Sequence, residues 1–221
     1  MRVLLFGATG MVGQGVLREC LLDPDVTEVL AVGRSVSGQA HEKLKELVLK
    51  DFFDVSAVAD RLSRHDACFF CLGVSSAGMK EEDYRRVTYD LTLGVARLLA
   101  ARNSGMTFIY VSGAGTDGTG QSRAMWARVK GETENALVQL RFHAAYMFRP
   151  AFIQPLHGIT SKTKWYRILY AVSAPLYPVW KRLLPRYVST TEQIGRAMIN
   201  AAKRGAPKRV LEVPDINALS V

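Results

Sequence analysis

The first fifteen residues contain the residue types that bind a diphosphate. Gly7, Gly10 and Gly13 are spaced G-x-x-G-x-x-G and directly follow an apolar run at 3–6. Glycine at these places lets the chain turn off a strand, bring bare backbone to a pyrophosphate and pack a helix closely on a sheet. The spacing predicts a dinucleotide-binding loop, the alternative being a glycine-rich turn without a ligand. The ligand contacts expected from this loop are Gly7, Thr9, Gly10, Met11, Val12 and Gly13.

The second apolar segment ends in Arg34 and Ser35. In dinucleotide-binding folds this position meets the adenosine ribose, where an acid binds the 2′-hydroxyl and an arginine accommodates a 2′-phosphate. The guanidinium fork matches phosphate oxygens in two places, and no acid adjoins Arg34. We therefore predict NADP(H) in preference to NAD(H). The alternative is that Arg34 is a loop cation in solvent.

Two further strand ends are expected at the same edge of the sheet. Ligands of open α/β sheets bind outside the carboxyl ends of the strands. We expect Asp51 and Phe52 to border the adenine, although Asp51 also fits a turn residue. Leu72 and Gly73 are expected to lie beside the cofactor as bare backbone.

The elements that must position these residues alternate along the chain. Short apolar runs are followed by segments of helical periodicity, which predicts β-α-β units. The fold class is therefore α/β, a Rossmann-type doubly wound parallel sheet with helices on both faces and a small C-terminal helical extension. The predicted strands are 2–6, 28–32, 47–49, 67–71, 108–112, 145–148 and 209–213. The predicted helices are one starting after the glycine loop, 55–62, 81–102, 124–142 and 191–203.

Composition limits the class of protein. A length of 221 residues is enough for one domain, and 48% hydrophobic and 22% charged residues are typical of a globular protein. With the glycine loop, we predict a single NAD(P)-binding domain over 1–221, in which 151–221 form a basic, aromatic extension that faces a substrate or partner. No apolar run is long enough to span a membrane, and the N-terminus lacks a signal-peptide pattern, so we expect a cytoplasmic protein. Cys68 and Cys71 lie three apart on a predicted strand and point to opposite faces, which argues against a shared metal. The histidines show no metal spacing either, and we predict no metal site.

The basic excess belongs to the last third of the chain. Residues 151–221 hold eleven Lys and Arg against three Asp and Glu, a balance of +8 out of a total of +9. Within 162–186 these cations alternate with aromatic residues. Three interpretations stay open: a surface that meets an anionic membrane or a protein partner, a lid that selects an acidic or acyl substrate, or aromatics packed on the sheet with cations in water. Without a recognised module, we do not expect nucleic-acid binding.

Several motifs occur in one order along the chain, and together they are typical of a known family. They are Gly7-x-x-Gly10-x-x-Gly13, Cys71-Leu72-Gly73, Tyr110-Val111-Ser112-Gly113-Ala114, Lys130-Gly131-Glu132-x-Glu134 and Phe148-Arg149-Pro150. Over nearly the whole chain this set resembles the atypical short-chain dehydrogenase/reductases. The branch that it resembles is the NADPH-binding Tat-interactive-protein type, with its bacterial NAD(P)-binding and nucleoside-diphosphate-sugar-epimerase-like relatives.

The resemblance implies a Ser–Tyr–Lys apparatus acting on an unknown small-molecule substrate. In it, Ser112 would polarise a carbonyl, and Lys130 would hold the nicotinamide ribose and lower the pKa of a tyrosine four residues earlier. The resemblance also places Pro150 against the cofactor.

This sequence departs from the pattern at the tyrosine, because Trp126 stands there. An indole is a hydrogen-bond donor but no usable acid near neutral pH. Three interpretations follow: a proton from another group such as Tyr89, Ser112 or water; chemistry other than carbonyl reduction; or a regulatory protein that senses NADP(H) without turnover.

Overall fold

The computed structural model describes residues 1–159 and 186–221. Within them, seven parallel strands form one sheet in the order β3-β2-β1-β4-β5-β6-β9. These strands are β1 (Arg2–Phe6), β2 (Glu28–Gly33), β3 (Leu44–Val48), β4 (Ala67–Phe70), β5 (Thr107–Val111), β6 (Ala144–Arg149) and β9 (Val210–Glu212). A separate parallel pair consists of β7 (Phe152–Gln154) and β8 (Val188–Thr190). The order reverses between β1 and β4, the switch point at which such sheets bind ligands.

Helices cover both faces of the sheet, which confirms the predicted α/β Rossmann-type fold. They are α1 (Met11–Leu22), α2 (Glu81–Arg85), α3 (Leu91–Arg102), α4 (Met125–Val138), α5 (Thr191–Arg204) and α6 (Val213–Leu219). Strand β1 is buried on both sides: Val3 and Leu5 belong to a core shared with α1 and α5, and Leu4 and Phe6 to a core shared with α3 and α4. A continuous apolar run is typical of such a strand.

Some element boundaries differ from the predicted ones for local reasons. The third strand is β3 and begins before the predicted 47–49. In this edge strand only Leu47 is buried, and Lys45 and Glu46 interrupt the apolar run that would indicate its start. The predicted helix 55–62 is a short 3₁₀ turn, Ser56–Val58, after Asp54 Oδ1 accepts from both the backbone N–H and the hydroxyl of Ser56. A π-helical turn, Arg86–Asp90, joins α2 and α3.

The predicted helix 124–142 ends at Val138, and α6 was not predicted at all. The sequence does carry a start signal for α6. Pro214 stands in its first turn, and Glu212 N–H donates to Asp215 Oδ2 at 2.9 Å in a capping box.

The basic aromatic segment lies almost entirely outside the described residues, apart from Arg186. Its three interpretations therefore stay predictions. Among the helices of residues 1–159 and 186–221, none combines the length and apolarity needed to cross a membrane. In the same residues, no group of His, Cys, Asp and Glu is arranged to hold a metal ion. Cys68 and Cys71 pack against the two different cores, as residues on opposite faces do.

Candidate cofactor site

A crevice of about 430 Å³ opens at the carboxyl ends of the central strands. Its volume lies in the range typical of small-molecule and cofactor sites. The residues that line it are Gly7, Thr9, Gly10, Met11, Val12, Arg34, Cys71, Leu72, Gly73, Val74, Ser75, Val111, Ser112 and Lys130. They come from the ends of β1, β2, β4 and β5, the start of α1 and the middle of α4. We call this cavity the crevice below.

The glycine loop forms one wall of the crevice and is closely packed. Gly7 has φ +85°, and a Cβ there would lie 2.9 Å from the carbonyl carbon of Cys71. A Cβ on Gly13 would lie 2.0 Å from the carbonyl oxygen of Gly7, so this residue sets the distance between α1 and the loop. The N-cap of α1 is Gly10, which provides no capping side chain for the first N–H groups of the helix. This cradle of bare backbone fits a diphosphate.

Some of the predicted cofactor residues line the crevice, and others do not. Gly13 lies behind the loop, and Ser35, Asp51, Phe52 and Pro150 do not line the crevice. Phe52 is buried and packs edge-on against Phe6, with ring centroids 6.2 Å apart. Asp51 accepts a hydrogen bond from the Phe53 N–H at 2.8 Å, the turn role that was its alternative. Pro150 is buried, and its carbonyl accepts from the Ala114 N–H at 2.9 Å.

Four crevice residues were not predicted. Cys71, Val74 and Ser75 follow β4, and Val111 is the last residue of β5. Their common feature is position at the carboxyl end of a central strand, which the sequence could have indicated once the strands were placed. Burial raises the pKa of the Cys71 thiol to about 12, so this sulfur is not a ready nucleophile.

Arg34 follows directly on β2 and is exposed at the edge of the crevice. In the described part of the chain, no carboxylate forms an ion pair with it. An unpaired guanidinium at this place can bind an anionic group that enters the crevice.

Lys130 projects from α4 into the crevice, where its ammonium donates to the Ser112 carbonyl oxygen. Burial lowers the pKa of Lys130 to about 8, and the charge of Glu134 partly opposes this effect. Helix α4 packs closely against the backbone at Asp117 because Gly131 has no side chain. A Cβ on Gly131 would lie 1.9 Å from the Asp117 carbonyl oxygen. Lys130 is therefore held in place with an ammonium that can release a proton near neutral pH.

The hydroxyl of Ser112 points into a buried ion-pair network. Its Oγ lies 2.5 Å from Glu134 Oε1, to which it donates, and 3.2 Å from the Phe148 carbonyl oxygen. Arg149 binds both oxygens of Glu134 and also contacts Glu212 at 3.3 Å. The bond to Glu134 raises the pKa of the Arg149 guanidinium, so this guanidinium stays charged. Glu134 and Arg149 were visible in the sequence only as parts of family motifs.

Trp126 stands one helical turn before Lys130 but does not line the crevice. Its half-buried ring lies against Gly115, where a Cβ would come within 3.3 Å of Trp126 Cη2. Tyr89, considered as another proton source, is stacked under the Arg85 guanidinium at 4.5 Å from the ring centroid. Across residues 1–159 and 186–221, no tyrosine lines the crevice.

The parallel sheet, its switch point and the glycine cradle define a dinucleotide-binding protein of the Rossmann class. A family model described as NAD(P)H-binding matches residues 7–146. The chain belongs to this NAD(P)H-binding family, within the atypical short-chain dehydrogenase/reductases.

Individual relatives agree with this assignment. The chain is 28% identical over 207 residues to "Protein fmp52, mitochondrial" of Emericella nidulans, covering 90% of this chain and 86% of that protein. It is 29% identical over 154 residues to "Protein HTATIP2" of Rattus norvegicus, covering 68% of this chain and 62% of the relative. The crystal structure of the Bordetella bronchiseptica enzyme WbmF in complex with NAD+ superposes with a TM-score of 0.69 at 16% identity, over 99% of this chain and 76% of that one. The family model supports a nicotinamide cofactor, and the structural match at 16% identity shows the fold alone.

The same relatives correct the expected location. The fmp52 protein of Emericella nidulans and further fungal relatives of that name are called mitochondrial. The cytoplasmic expectation is therefore wrong. The expectation rested on the absence of long apolar runs. Such runs indicate membrane spans and secretion signals, but they do not identify every cellular compartment.

Proposed function

We propose that the protein binds NADP(H) in preference to NAD(H) and acts as a reductase of the short-chain dehydrogenase/reductase type. The observation that carries this proposal is Arg34, an exposed guanidinium without an acidic partner in the described residues, at the end of β2 and on the edge of the crevice. A 2′-phosphate is the part of NADP(H) that NAD(H) lacks, and arginine binds it through two parallel hydrogen bonds.

When bound, the cofactor would supply a hydride to a carbonyl or an activated double bond. The chain's own contribution is to orient that cofactor and to provide a proton. The glycine loop and the start of α1 would hold the diphosphate, and Lys130 would hold the nicotinamide ribose. We assign the proton to Lys130 Nζ, because its ammonium lies in the crevice wall and releases a proton near neutral pH. In this assignment Ser112 accepts hydrogen bonds, since its hydroxyl already donates its own to Glu134.

A second function is favoured by one observation, the indole at the place of the usual phenol. With Trp126 packed on Gly115 and the Ser112 hydroxyl turned inward, the crevice has the glycine loop and Lys130 but no tyrosine at the position of the usual acid. A protein that senses NADP(H) without turnover fits this arrangement.

The nucleotide preference is tested by fluorescence titration with NADPH and NADH. We expect the wild type to bind NADPH at least about tenfold more tightly, equivalent to ~1.4 kcal/mol. Arg34→Ala should remove this preference and leave NADH affinity unchanged. Arg97→Ala, at an exposed arginine on α3, is the matched control and should behave as wild type. Equal affinities of the wild type for the two nucleotides would defeat the proposal.

Turnover separates the two functions. NADPH consumption with a panel of aldehydes, ketones and enones supports a reductase. Tight NADPH binding without consumption across the panel supports a sensor.

A further inference from the structure

A buried ion pair lies directly behind the wall of the crevice. Glu134 is 3% exposed, and Arg149 binds it with Nε to Oε1 at 3.0 Å and Nη2 to Oε2 at 2.5 Å. The Ser112 hydroxyl donates to the same Oε1. Three donors satisfy this carboxylate, and a carboxylate so buried and so bonded has little freedom to move.

The carboxylate acts on two polar residues of the crevice wall, Ser112 and Lys130. Glu134 follows Lys130 by four residues, which places the two side chains on one face of α4. Burial lowers the pKa of Lys130, and the negative charge of Glu134 opposes this by favouring the protonated form. Ser112 joins the two residues, because its hydroxyl bonds Glu134 while its carbonyl oxygen accepts from Lys130.

We infer that Glu134 is a positioning residue of the crevice, which acts through Ser112 and Lys130 and does not touch the ligand. It accepts the one hydrogen bond that the Ser112 hydroxyl can donate, so toward a ligand this hydroxyl can only accept a hydrogen bond. A ligand group that meets the Ser112 hydroxyl is therefore a donor, such as a hydroxyl or an amide N–H. The inference rests on the proposed function, since it concerns the same crevice.

A purely structural ion pair is the competing explanation. Arg149 also contacts Glu212, so the network ties β6 to α4 and β9 and would stabilise the fold in any case. A loss of stability on mutation therefore decides nothing. The deciding readout is the titration of Lys130 itself, measured without cofactor.

The experiment is an NMR titration of the protein labelled with ¹³C at the lysine ε-carbons. The Lys130 signal is assigned by its loss in Lys130→Arg. In Glu134→Gln we expect the midpoint of Lys130 to fall by roughly half a pH unit or more, because an opposite charge nearby no longer stabilises the ammonium. The matched control is Glu132→Gln, the same change on the same helix at an exposed pair with Arg85, and it should leave the midpoint unchanged.

Two further variants keep the test decisive. Glu134→Asp retains the charge and should return the midpoint toward that of the wild type. If Glu134→Gln fails to fold with Arg149 unpaired, the double variant Glu134→Gln/Arg149→Met removes the whole buried pair, a change that buried pairs often tolerate. It should lower the midpoint in the same direction, since burial of Lys130 persists without the compensating carboxylate.

The outcomes are distinguishable. An unchanged Lys130 midpoint in a folded Glu134→Gln or double variant overturns the positioning role. A wild type that binds neither NADPH nor NADH overturns the proposed function, whatever the NMR titration shows.

Discussion

At the scale of single residues, the tryptophan at position 126 limits which groups can transfer a proton in the crevice. The indole N–H donates hydrogen bonds but does not ionise near neutral pH. Lys130, one turn later, has a pKa of about 8 because of its burial and lies in the crevice wall. The Ser112 hydroxyl already donates its hydrogen bond to Glu134. Because no phenol lines the described part of the crevice, we expect proton transfer there to depend on the nitrogen of Lys130.

The missing phenol can be restored by Trp126→Tyr. A phenol is smaller than the indole that packs against Gly115, and residue 126 stands one helical turn before Lys130. We expect NADPH consumption with a carbonyl panel to rise by about a hundredfold, the lower range of general acid catalysis. Trp126→Phe is the matched control, since it changes the ring without adding an acid. Equal rates of NADPH consumption by the Tyr and Phe variants would show that the missing acid at position 126 does not limit the reaction.

At the scale of elements, the distance between α1 and the glycine loop depends on Gly13. A Cβ there would lie 2.0 Å from the backbone oxygen of Gly7, and backbone cannot move aside as a flexible side chain can. We expect Gly13→Ala to lower the free energy of unfolding by about 3 kcal/mol, as overpacking does. Gly94→Ala in α3 is the control: its Cβ would meet nothing within 4 Å, so a gain of about 0.5–1 kcal/mol follows from helix propensity. Urea unfolding measures both, and equal effects would contradict this view of the loop.

The elements also show what the sequence could predict. Continuous apolar runs indicated β1, β4 and β5, because these strands are buried on both faces. The edge strand β3 gave a weaker pattern, and its start was missed. Glycine spacing and strand ends indicated most of the crevice wall.

Contacts between distant elements were beyond sequence reasoning. The Glu134–Arg149 pair joins α4 to β6, so it depends on the packing of the helix on the sheet. Phe52 illustrates a second limit. Which of two adjacent phenylalanines faces the core is decided by the turn at Asp51, and the structure buries Phe52 and exposes Phe53.

At the scale of the whole molecule, charged groups gather at the end of the sheet opposite the crevice. Glu28, at the start of β2, accepts from Arg2 at 2.8 Å and from Lys45 at 2.5 Å. These two bonds hold the pKa of Glu28 down at about 2. His65 lies beside them just before β4, with 5% of its surface exposed and its Nε2 3.9 Å from Glu28 Oε1. Neither of its ring nitrogens makes a hydrogen bond of good geometry within the described chain.

Stability should therefore depend on pH through His65. Burial, and then the charge of Arg2, lowers the pKa of His65 below its ordinary value of about 6.5, with Glu28 opposing this in part. The unfolded chain then binds a proton more readily than the folded one, so stability is complete above about pH 6.5 and is lost as pH falls from there toward the folded-state pKa. The lowered pKa of Glu28 stabilises the fold above about pH 4.5, and this contribution is lost only as pH falls from about 4.5 toward about 2.

We expect the wild type to lose more free energy of unfolding than His65→Gln between about pH 7.5 and about pH 5.5, measured by urea unfolding. Glutamine keeps a polar side chain at the site but has no proton to gain. His143→Gln, at an exposed histidine, is the matched control and should follow the wild-type curve. Parallel curves for wild type and His65→Gln would mean that the buried imidazole gains its proton as easily in the fold as in the unfolded chain.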